Sequence, residues 1–174
     1  MAHSLKEVLS KETIAERIKE LGKEISATYG QEPLICVCVL KGAYLFFADI
    51  TRALSSDPEI DFVRLASYGS GTSRTGNMNF SKDLEVSIAD KHVLIVEDIV
   101  DTGHSVEFLK HVFGKRNPLS IKICSLIDKR ERREVDLEVD FPGFVVDSGF
   151  LVGYGMDYAE KYRYLSAVYE LENV

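Results

Sequence analysis

The sequence predicts a single α/β domain in which helices cover both faces of a mainly parallel sheet. The chain has 174 residues, a length typical of one domain with its own core. Hydrophobic residues make up 45% of it and charged residues 28%, which indicates a globular and not a disordered chain. Continuous apolar segments alternate with segments of helical periodicity, as in βαβ units. No repeat or linker interrupts this pattern, so we expect residues 1–174 to form one domain.

The first predicted elements are a helix and a buried strand. Ser10 can cap the start of the helix, and Gly30 lies where a left-handed C-terminal residue is expected. Residues 34–40 are apolar throughout, which predicts a strand buried on both faces. The apolar stripe of the helix recurs at helical spacing: Ile14, Ile18, Leu21 and Ile25.

A second helix, a second strand and a long loop follow. Residues 60–66 predict the strand. Residues 67–76 contain too much Gly, Ser and Thr for a regular element, and loops of this length are often functional lids. The alternative is an exposed hairpin tip. The helix begins after Lys41 and Gly42, and four apolar residues predict it: Phe46, Phe47, Ile50 and Leu54.

The C-terminal half repeats the alternation of strand and helix. Residues 93–96, 121–127 and 144–146 predict three more strands, and residues 167–169 predict an edge strand. A helix ending at Gly114 lies between the first two of these strands, and it carries an apolar stripe: Val106, Leu109, Val112 and Phe113.

Composition excludes several classes of function. Lys and Arg number 21 against 28 Asp and Glu, a formal charge of −7, which argues against nucleic acid as a partner. A local basic pocket for a small phosphate remains compatible with that charge. No apolar run reaches the roughly 20 residues of a membrane span, and the first residues show no secretory signal. The odd count of three cysteines favours a reducing compartment, so we expect a cytoplasmic protein.

The segment richest in chemistry is residues 97–105. It lies between a predicted strand and a predicted helix, at the carboxyl edge of the sheet, where parallel α/β folds bind ligands. Thr102 and Ser105 offer hydroxyl groups, Gly103 permits a close turn, and the helix presents free N–H groups. Together these features predict an anion site sized for a phosphate.

Three carboxylates lie beside this predicted phosphate site: Glu97, Asp98 and Asp101. Carboxylates repel a phosphate unless they do something else, such as bind sugar hydroxyls, hold Mg²⁺ or move a proton. The alternative is that Asp98 and Asp101 are turn or N-cap residues only.

Other nucleotide and metal sites lack support in the sequence. There is no G-x-x-x-x-G-K-[ST] motif, and residues 153–155 lack the third glycine of the dinucleotide fingerprint. Cys36 and Cys38 would share one face of a strand, but no His or third Cys lies near them in the sequence. We therefore expect them to be buried core thiols.

The stretch VLIVEDIVDTG at residues 93–103 resembles the phosphoribosyl-diphosphate signature of the type I phosphoribosyltransferases. Further matches narrow the resemblance to the 6-oxopurine branch, the hypoxanthine and hypoxanthine-guanine phosphoribosyltransferases. They occur in family order over nearly the whole chain: residues 40–44, 46–49, 61–62, 67–68, 128–130 and 150–158, and Arg163. The resemblance implies that family's fold, with a small hood built from the N- and C-terminal segments.

The resemblance implies roles for the acidic segment. Glu97 and Asp98 resemble the pair that holds the ribose hydroxyls and Mg²⁺. Asp101 resembles the residue near purine N7, a general base during attack, and the alternative is charge stabilisation without proton transfer. Five residues resemble the family's 5′-phosphate site: Asp101, Thr102, Gly103, His104 and Ser105. His104 and Ser105 depart from the more usual family residues, so we expect this site to depend more on backbone N–H groups.

The resemblance also implies a purine site. Lys129 resembles the lysine that donates to the 6-oxo group, because an ammonium cannot accept from the amine of adenine. Phe150 resembles the aromatic that stacks on the base, and Leu151 and Asp157 resemble residues whose main chain contacts it. The Asp157 carboxylate resembles a ligand of a second Mg²⁺. Without the motif, Lys129 would be interpreted as a solvated charge and Phe150 as a core residue.

Diphosphate and lid residues complete the implied site. Lys41, Gly42 and Arg163 resemble the diphosphate contacts, and a cis peptide bond often accompanies the first two in the family. Ser67 and Tyr68 resemble the start of a mobile lid that excludes water from the reaction.

The implied activity is purine salvage. The resemblance predicts Mg²⁺-dependent transfer of a phosphoribosyl group to hypoxanthine or guanine, which gives IMP or GMP and diphosphate. Small molecules are then the partners, and the family implies a homodimer or homotetramer. Two alternatives stay open: a regulatory relative that binds nucleotide and RNA with little catalysis, which the negative charge disfavours, and a transferase for xanthine or another base.

Overall fold

The computed structural model of the chain describes residues 4–68 and 77–172. Within them, no helix combines the length and the apolar character that a membrane crossing requires. In chain order the elements are β1 (Ser4–Leu9), α1 (Lys11–Tyr29), β2 (Leu34–Leu40), α2 (Tyr44–Ala53), β3 (Glu59–Tyr68), β4 (Asn77–Lys82), β5 (His92–Val100), α3 (His104–Gly114), β6 (Ser120–Asp128), β7 (Phe141–Val145), β8 (Leu151–Val152) and β9 (Val168–Glu172).

The central sheet has six strands in the order β4-β3-β2-β5-β6-β7. The pairs β2–β3, β2–β5, β5–β6 and β6–β7 are parallel, and only the edge strand β4 pairs antiparallel with its neighbour. The predicted α/β class with a mainly parallel sheet is therefore confirmed. Strand β2 lies at the centre, and its continuous apolar sequence follows from burial on both faces.

Each face of the sheet supports its own core. Cys36 and Cys38 pack in the cluster that includes the apolar stripes of α1 and α2, whereas Ile35 and Val37 pack in the cluster under α3. The two thiols are fully buried and free, as the sequence predicts, and burial raises the pKa of Cys36 to about 12.

Helix α1 forms as its periodicity predicts, with the four predicted isoleucine and leucine side chains buried. The Ser10 hydroxyl accepts a hydrogen bond from the backbone N–H of Thr13 at 3.1 Å. Gly30 has the expected positive φ, at 56°, and its N–H donates to the carbonyl of Ser26. Both ends of α1 are thus fixed locally.

A second, three-stranded antiparallel sheet forms the hood, in the order β1-β9-β8. It joins the N-terminal strand to the last segment of the chain, as the resemblance implies. The prediction that residues 167–169 form an edge strand is wrong, because β9 lies between β1 and β8. Strands β1, β4 and β8 carry no clear sequence signal, since β1 is almost entirely exposed and β8 has only two residues.

Candidate active site

Three of the predicted site residues lie just beyond the carboxyl ends of adjacent parallel strands. Lys41 follows β2, Asp101 follows β5 and Lys129 follows β6. Backbone hydrogen bonds join these segments, because Lys129 N donates to Val100 O at 2.9 Å. Eight residues line a cavity of about 110 Å³ at this edge: Glu97, Ile99, Val100, Asp101, Thr102, Gly103, Ser105 and Val106. The carboxyl edge of the sheet is the expected position of a ligand site in this architecture.

The phosphate loop, residues 101–105, leaves the start of α3 open. Gly103 caps this helix with φ at 90° and makes no side-chain capping bond, in contrast to Ser10 of α1. A Cβ atom at Gly103 would lie 2.6 Å from Val135 Cγ2, so only glycine fits both the conformation and the space. The first-turn N–H groups of α3 therefore lack a capping side chain, and they can bind an anion.

Two of the polar side chains of this loop, those of His104 and Ser105, lie in different surroundings. His104 Nε2 lies 3.0 Å from a carboxylate oxygen of Glu134, whereas Ser105 is exposed at the cavity rim. The Thr102 carbonyl accepts from Glu134 N at 3.0 Å, which anchors the loop. Because His104 already pairs with a carboxylate, backbone N–H groups are the main anion donors available here.

Asp101 begins the phosphate loop and lines the same cavity. One carboxylate oxygen, Oδ2, lies 2.9 Å from Arg132 Nη1. The other, Oδ1, is buried and has no hydrogen-bond partner in the described part of the chain. A buried acceptor without a partner is costly, so this oxygen is suited to accept a proton or hydrogen bond from a ligand.

Glu97 and Asp98 lie inside β5 and not in the loop after it, because β5 extends to Val100. Burial and the neighbouring Asp98 charge raise the pKa of Glu97 well above its usual value. Burial also raises the pKa of Asp98, although a bond from Ile99 N and the Arg163 charge oppose that effect. Glu97 Oε2 has no hydrogen-bond partner among residues 4–68 and 77–172.

These two carboxylates fit a Mg²⁺ ion. Mg²⁺ in phosphate-transfer sites takes one or two carboxylates and completes its shell with water and substrate oxygens. The orphaned oxygen of Glu97 and the charge repulsion between the pair are both relieved by a bound cation. Among residues 4–68 and 77–172, no group of three or more His, Cys, Asp or Glu side chains is arranged to hold a metal ion.

The Lys129 ammonium contacts the segment that carries the other predicted purine residues. Lys129 is only 5% exposed, and its Nζ donates to the carbonyl of Gly149. The solvated-charge interpretation of this lysine is therefore wrong. The Phe150 ring is 45% exposed and contacts the Tyr158 ring edge-on at 5.5 Å between centroids, so the core interpretation is wrong as well. Leu151 is buried in β8, which leaves its main chain as the group available to a ligand.

The predicted diphosphate residues meet the hood loop, residues 153–164. The Leu40–Lys41 peptide bond is cis. A Cβ at Gly42 would lie 1.8 Å from Asp98 Oδ2, so glycine is required where the backbone passes this carboxylate. Arg163 Nη1 donates to Gly155 O at 2.8 Å, and its Nε is buried without a partner in the described segments.

The structure pairs Asp157 with one cation and one N–H group of the hood loop. Its Oδ1 lies 2.7 Å from Arg163 Nη2, and its Oδ2 accepts from Glu160 N at 2.8 Å. Asp157 is thus brought together with Arg163, and its predicted role as a second metal ligand stays a prediction.

The lid residues lie at the limit of the described structure. Ser67 and Tyr68 end β3, and their backbones pair with Met78 and Asn77 of β4. The rest of the predicted lid, residues 69–76, lies outside the described residues.

Sequence reasoning missed the part played by Arg133. Its side chain is 13% exposed and forms an ion pair with Asp128, which is buried at the end of β6. Arg133 Nε also donates to Asp101 O at 3.1 Å, so one guanidinium joins the phosphate loop to the base of the purine site. The run of four charged residues at 130–133 predicts only a solvated surface. The one signal that the sequence offers is the position of this charged run, directly after Lys129.

Comparisons with known proteins agree with this geometry. A family model described as "Phosphoribosyl transferase domain" matches residues 4–159. A hypoxanthine phosphoribosyltransferase of Salmonella typhimurium is 43% identical over 97% of this chain and 96% of its own. A hypoxanthine-guanine phosphoribosyltransferase of Bacillus subtilis is 42% identical over 95% and 92%. A crystal structure of a Staphylococcus aureus hypoxanthine phosphoribosyltransferase superimposes with a TM-score of 0.92 at 38% identity, over 96% of this chain and 91% of that one.

Proposed function

The chain belongs to the phosphoribosyltransferase family, and from that premise we propose that it is a purine salvage enzyme. It transfers the 5-phosphoribosyl group of phosphoribosyl diphosphate to hypoxanthine and guanine, and it releases diphosphate. The observation that carries the proposal is the buried Lys129 ammonium beside the exposed Phe150 ring, on the same sheet edge as the open phosphate loop. The regulatory RNA-binding alternative is not favoured, since the relatives are named as transferases.

We propose that the base binds between Phe150 and Lys129. The exposed ring offers a stacking face, and the lysine ammonium donates to the 6-oxo group. Adenine carries a 6-amino group, which would leave both that ammonium and the amine without an acceptor. Main-chain groups of Leu151 and Asp157 complete the base site in this proposal.

The sugar phosphate is proposed to bind at the phosphate loop, with its 5′-phosphate on the N–H groups that begin α3. During transfer, the bond from ribose C1 to diphosphate breaks and the purine N9 bonds to C1. The proton on N7 passes to the free oxygen of Asp101. The neighbouring carboxylates Glu97 and Asp98 hold the ribose hydroxyls and stabilise the positive charge that develops at C1.

Mg²⁺ is the proposed cofactor, and Glu97 and Asp98 are the residues that would hold it. Bound there, the ion neutralises charge on the diphosphate leaving group. Lys41, Gly42 and Arg163 bind the same leaving group in this proposal, and Ser67 and Tyr68 begin the lid that excludes water. Asp157 is proposed to help hold a second ion.

We also propose that the protein is a homodimer or homotetramer in the cytoplasm, built from one domain per chain. The free, buried state of all three cysteines supports a reducing compartment. Light scattering coupled to size-exclusion chromatography measures the oligomeric state directly.

A spectrophotometric assay tests the function. We expect turnover of hypoxanthine and guanine with Mg²⁺ and phosphoribosyl diphosphate, and little turnover of adenine; xanthine in the same assay tests the remaining base alternative. For Lys129→Ala, we expect the preference for 6-oxo over 6-amino bases to fall about tenfold or more, because one charge-assisted hydrogen bond is lost. Lys19→Ala, at an exposed position of α1, is the matched control. Absence of turnover with every 6-oxopurine would refute the proposal.

A further inference from the structure

Glu160 occupies a central position between the two cations of the proposed diphosphate site. Both of its carboxylate oxygens lie 3.1 Å from Lys41 Nζ, and Oε2 lies 3.3 Å from Arg163 Nη2. Hydrogen bonds from these two cations lower the pKa of Glu160, so the carboxylate is charged at neutral pH. Neither sequence motifs nor the resemblance singled out this residue.

The backbone around Glu160 forms a tight turn. Ala159 and Glu160 both adopt positive φ, at 51° and 61°, a region that residues with a Cβ rarely occupy. The turn is closed by paired hydrogen bonds between Tyr158 and Lys161, and Glu160 N donates to the Asp157 carboxylate. The turn therefore fixes the point from which the Glu160 side chain leaves the backbone.

Glu160 holds Lys41 with both carboxylate oxygens and shares Arg163 Nη2 with Asp157, whose Oδ1 lies at 2.7 Å. Carboxylate and phosphate oxygens use the same donors on lysine and arginine, and arginine binds both through its guanidinium edge. A diphosphate that binds Lys41 and Arg163 must therefore displace Glu160 from them. The Glu160 side chain is 66% exposed, so it has room to swing into solvent when it is displaced.

We propose that Glu160 is an internal competitor of diphosphate, which keeps Lys41 and Arg163 paired in the free enzyme and weakens binding of the donor and of the diphosphate product. This inference rests on the proposed function, because that function assigns diphosphate to the two cations. Re-formation of the Glu160 pairs helps to expel diphosphate after transfer, a step that limits turnover in many enzymes.

The size of the effect follows from the exposure of the pairs. These ion pairs are partly exposed and solvent screens them, so loss of the competing carboxylate should tighten diphosphate binding only about two- to fivefold. A residue that only supported the hood loop would give the opposite result, since its loss would loosen Lys41 and Arg163 and weaken binding.

Titration calorimetry with Mg²⁺-diphosphate on the full-length protein tests the inference. We expect Glu160→Gln to lower the dissociation constant of diphosphate two- to fivefold and to strengthen product inhibition. Glu160→Asn repeats the test with a residue that tolerates positive φ, in case the first variant folds poorly. Glu16→Gln, which removes the same charge from an exposed position of α1, should leave diphosphate binding unchanged.

The outcomes separate this inference from the function on which it rests. Unchanged or weaker diphosphate binding in both folded Glu160 variants would overturn it, even if the wild-type enzyme turns over hypoxanthine. Tighter binding in Glu16→Gln as well would also overturn it, because the effect would then come from net charge. Absence of wild-type turnover with every 6-oxopurine would instead refute the proposed function.

Discussion

The phosphate loop and the hood loop face the same site but are held in different ways. The phosphate loop continues from a strand inside the parallel sheet, and backbone groups anchor it, such as the Thr102 carbonyl bonded to Glu134 N. It places a glycine, Gly103, at its one left-handed position. The hood loop has four non-glycine residues with positive φ: Tyr154, Ala159, Glu160 and Tyr162. Backbone hydrogen bonds within the loop hold it, and partly exposed ion pairs join its Glu160 to Lys41 and Arg163.

This difference indicates that the two loops respond differently when a ligand binds. A loop fixed by backbone bonds to neighbouring segments and by a glycine conformation is pre-organised for a constant group, such as a phosphate. In the hood loop, the exposed ion pairs of Glu160 can break at low cost when a competing anion arrives. Four substitutions test the comparison, from the largest expected change in free energy to the smallest.

The largest effect is expected for Gly103→Ala in the phosphate loop. The new Cβ would lie 2.6 Å from Val135 Cγ2 at φ of 90°, so the loop must shift. Displacements of about 1 Å at a reacting group can cost about a hundredfold in rate, and we expect kcat/KM to fall by that amount. Gly114→Ala, where a Cβ meets nothing within 4 Å, is the matched control. Similar kinetics for the two variants would mean that the loop is not pre-organised.

Asp61→Asn, in β3, should lower the unfolding free energy without changing the affinity for phosphoribosyl diphosphate. Burial alone would raise the pKa of Asp61, but N–H bonds from Phe62, Glu85 and Val86 outweigh it and lower that pKa. An Asn amide would face some of those donors with its own N–H groups, so we expect a loss of about 2 kcal/mol of unfolding free energy.

The sign of the pH dependence follows from the lowered pKa. The Asp61 contribution is fully present above the unfolded pKa of about 3.9 and is lost as pH falls through the lower folded value. Urea unfolding between pH 3 and pH 7 should therefore show a difference between wild type and Asp61→Asn that shrinks at low pH. Asp57→Asn, at an exposed position, should match the wild type.

Asp101→Asn separates binding from chemistry in the phosphate loop. We expect nucleotide formation to slow at least about tenfold, since an amide cannot accept the purine proton. Donor binding, measured by calorimetry, should be nearly unchanged because the α3 N–H groups remain. Equal activity would remove Asp101 from the proton-transfer role, and Asp136→Asn at an exposed position is the control.

The smallest effect is expected for Tyr154→Phe in the hood loop. The Tyr154 hydroxyl donates to the Asp49 carboxylate, and this bond joins the hood loop to α2. Asp49 is partly exposed, so loss of the bond should cost about 1 kcal/mol of unfolding free energy. Hydrogen exchange should quicken in the hood loop and not in the phosphate loop. Faster exchange in both loops would contradict the comparison, and Tyr164→Phe, with its ring 81% exposed, is the control.

The sequence predicts those parts of the fold whose signals are local. The stripe of α1, the apolar run of β2 and the end of α3 at Gly114 each depend on neighbouring residues, and each forms as predicted. The phosphate loop is predictable for the same reason, since strand, glycine and helix start are contiguous. The hood strands are not, because the exposed β1 and the two-residue β8 depend on pairing with β9.

The sequence by itself determined the α/β class, the acidic segment at the end of β5 and the chemistry that this segment can perform. Tertiary structure alone decided that Lys129 is buried, that Arg133 joins two loops and that Glu160 pairs with Lys41, a residue 119 positions away. The physical reason is the range of the interactions. Helix caps and strand patterns act over a few residues, whereas burial and ion pairing depend on which distant segments the sheet order brings together.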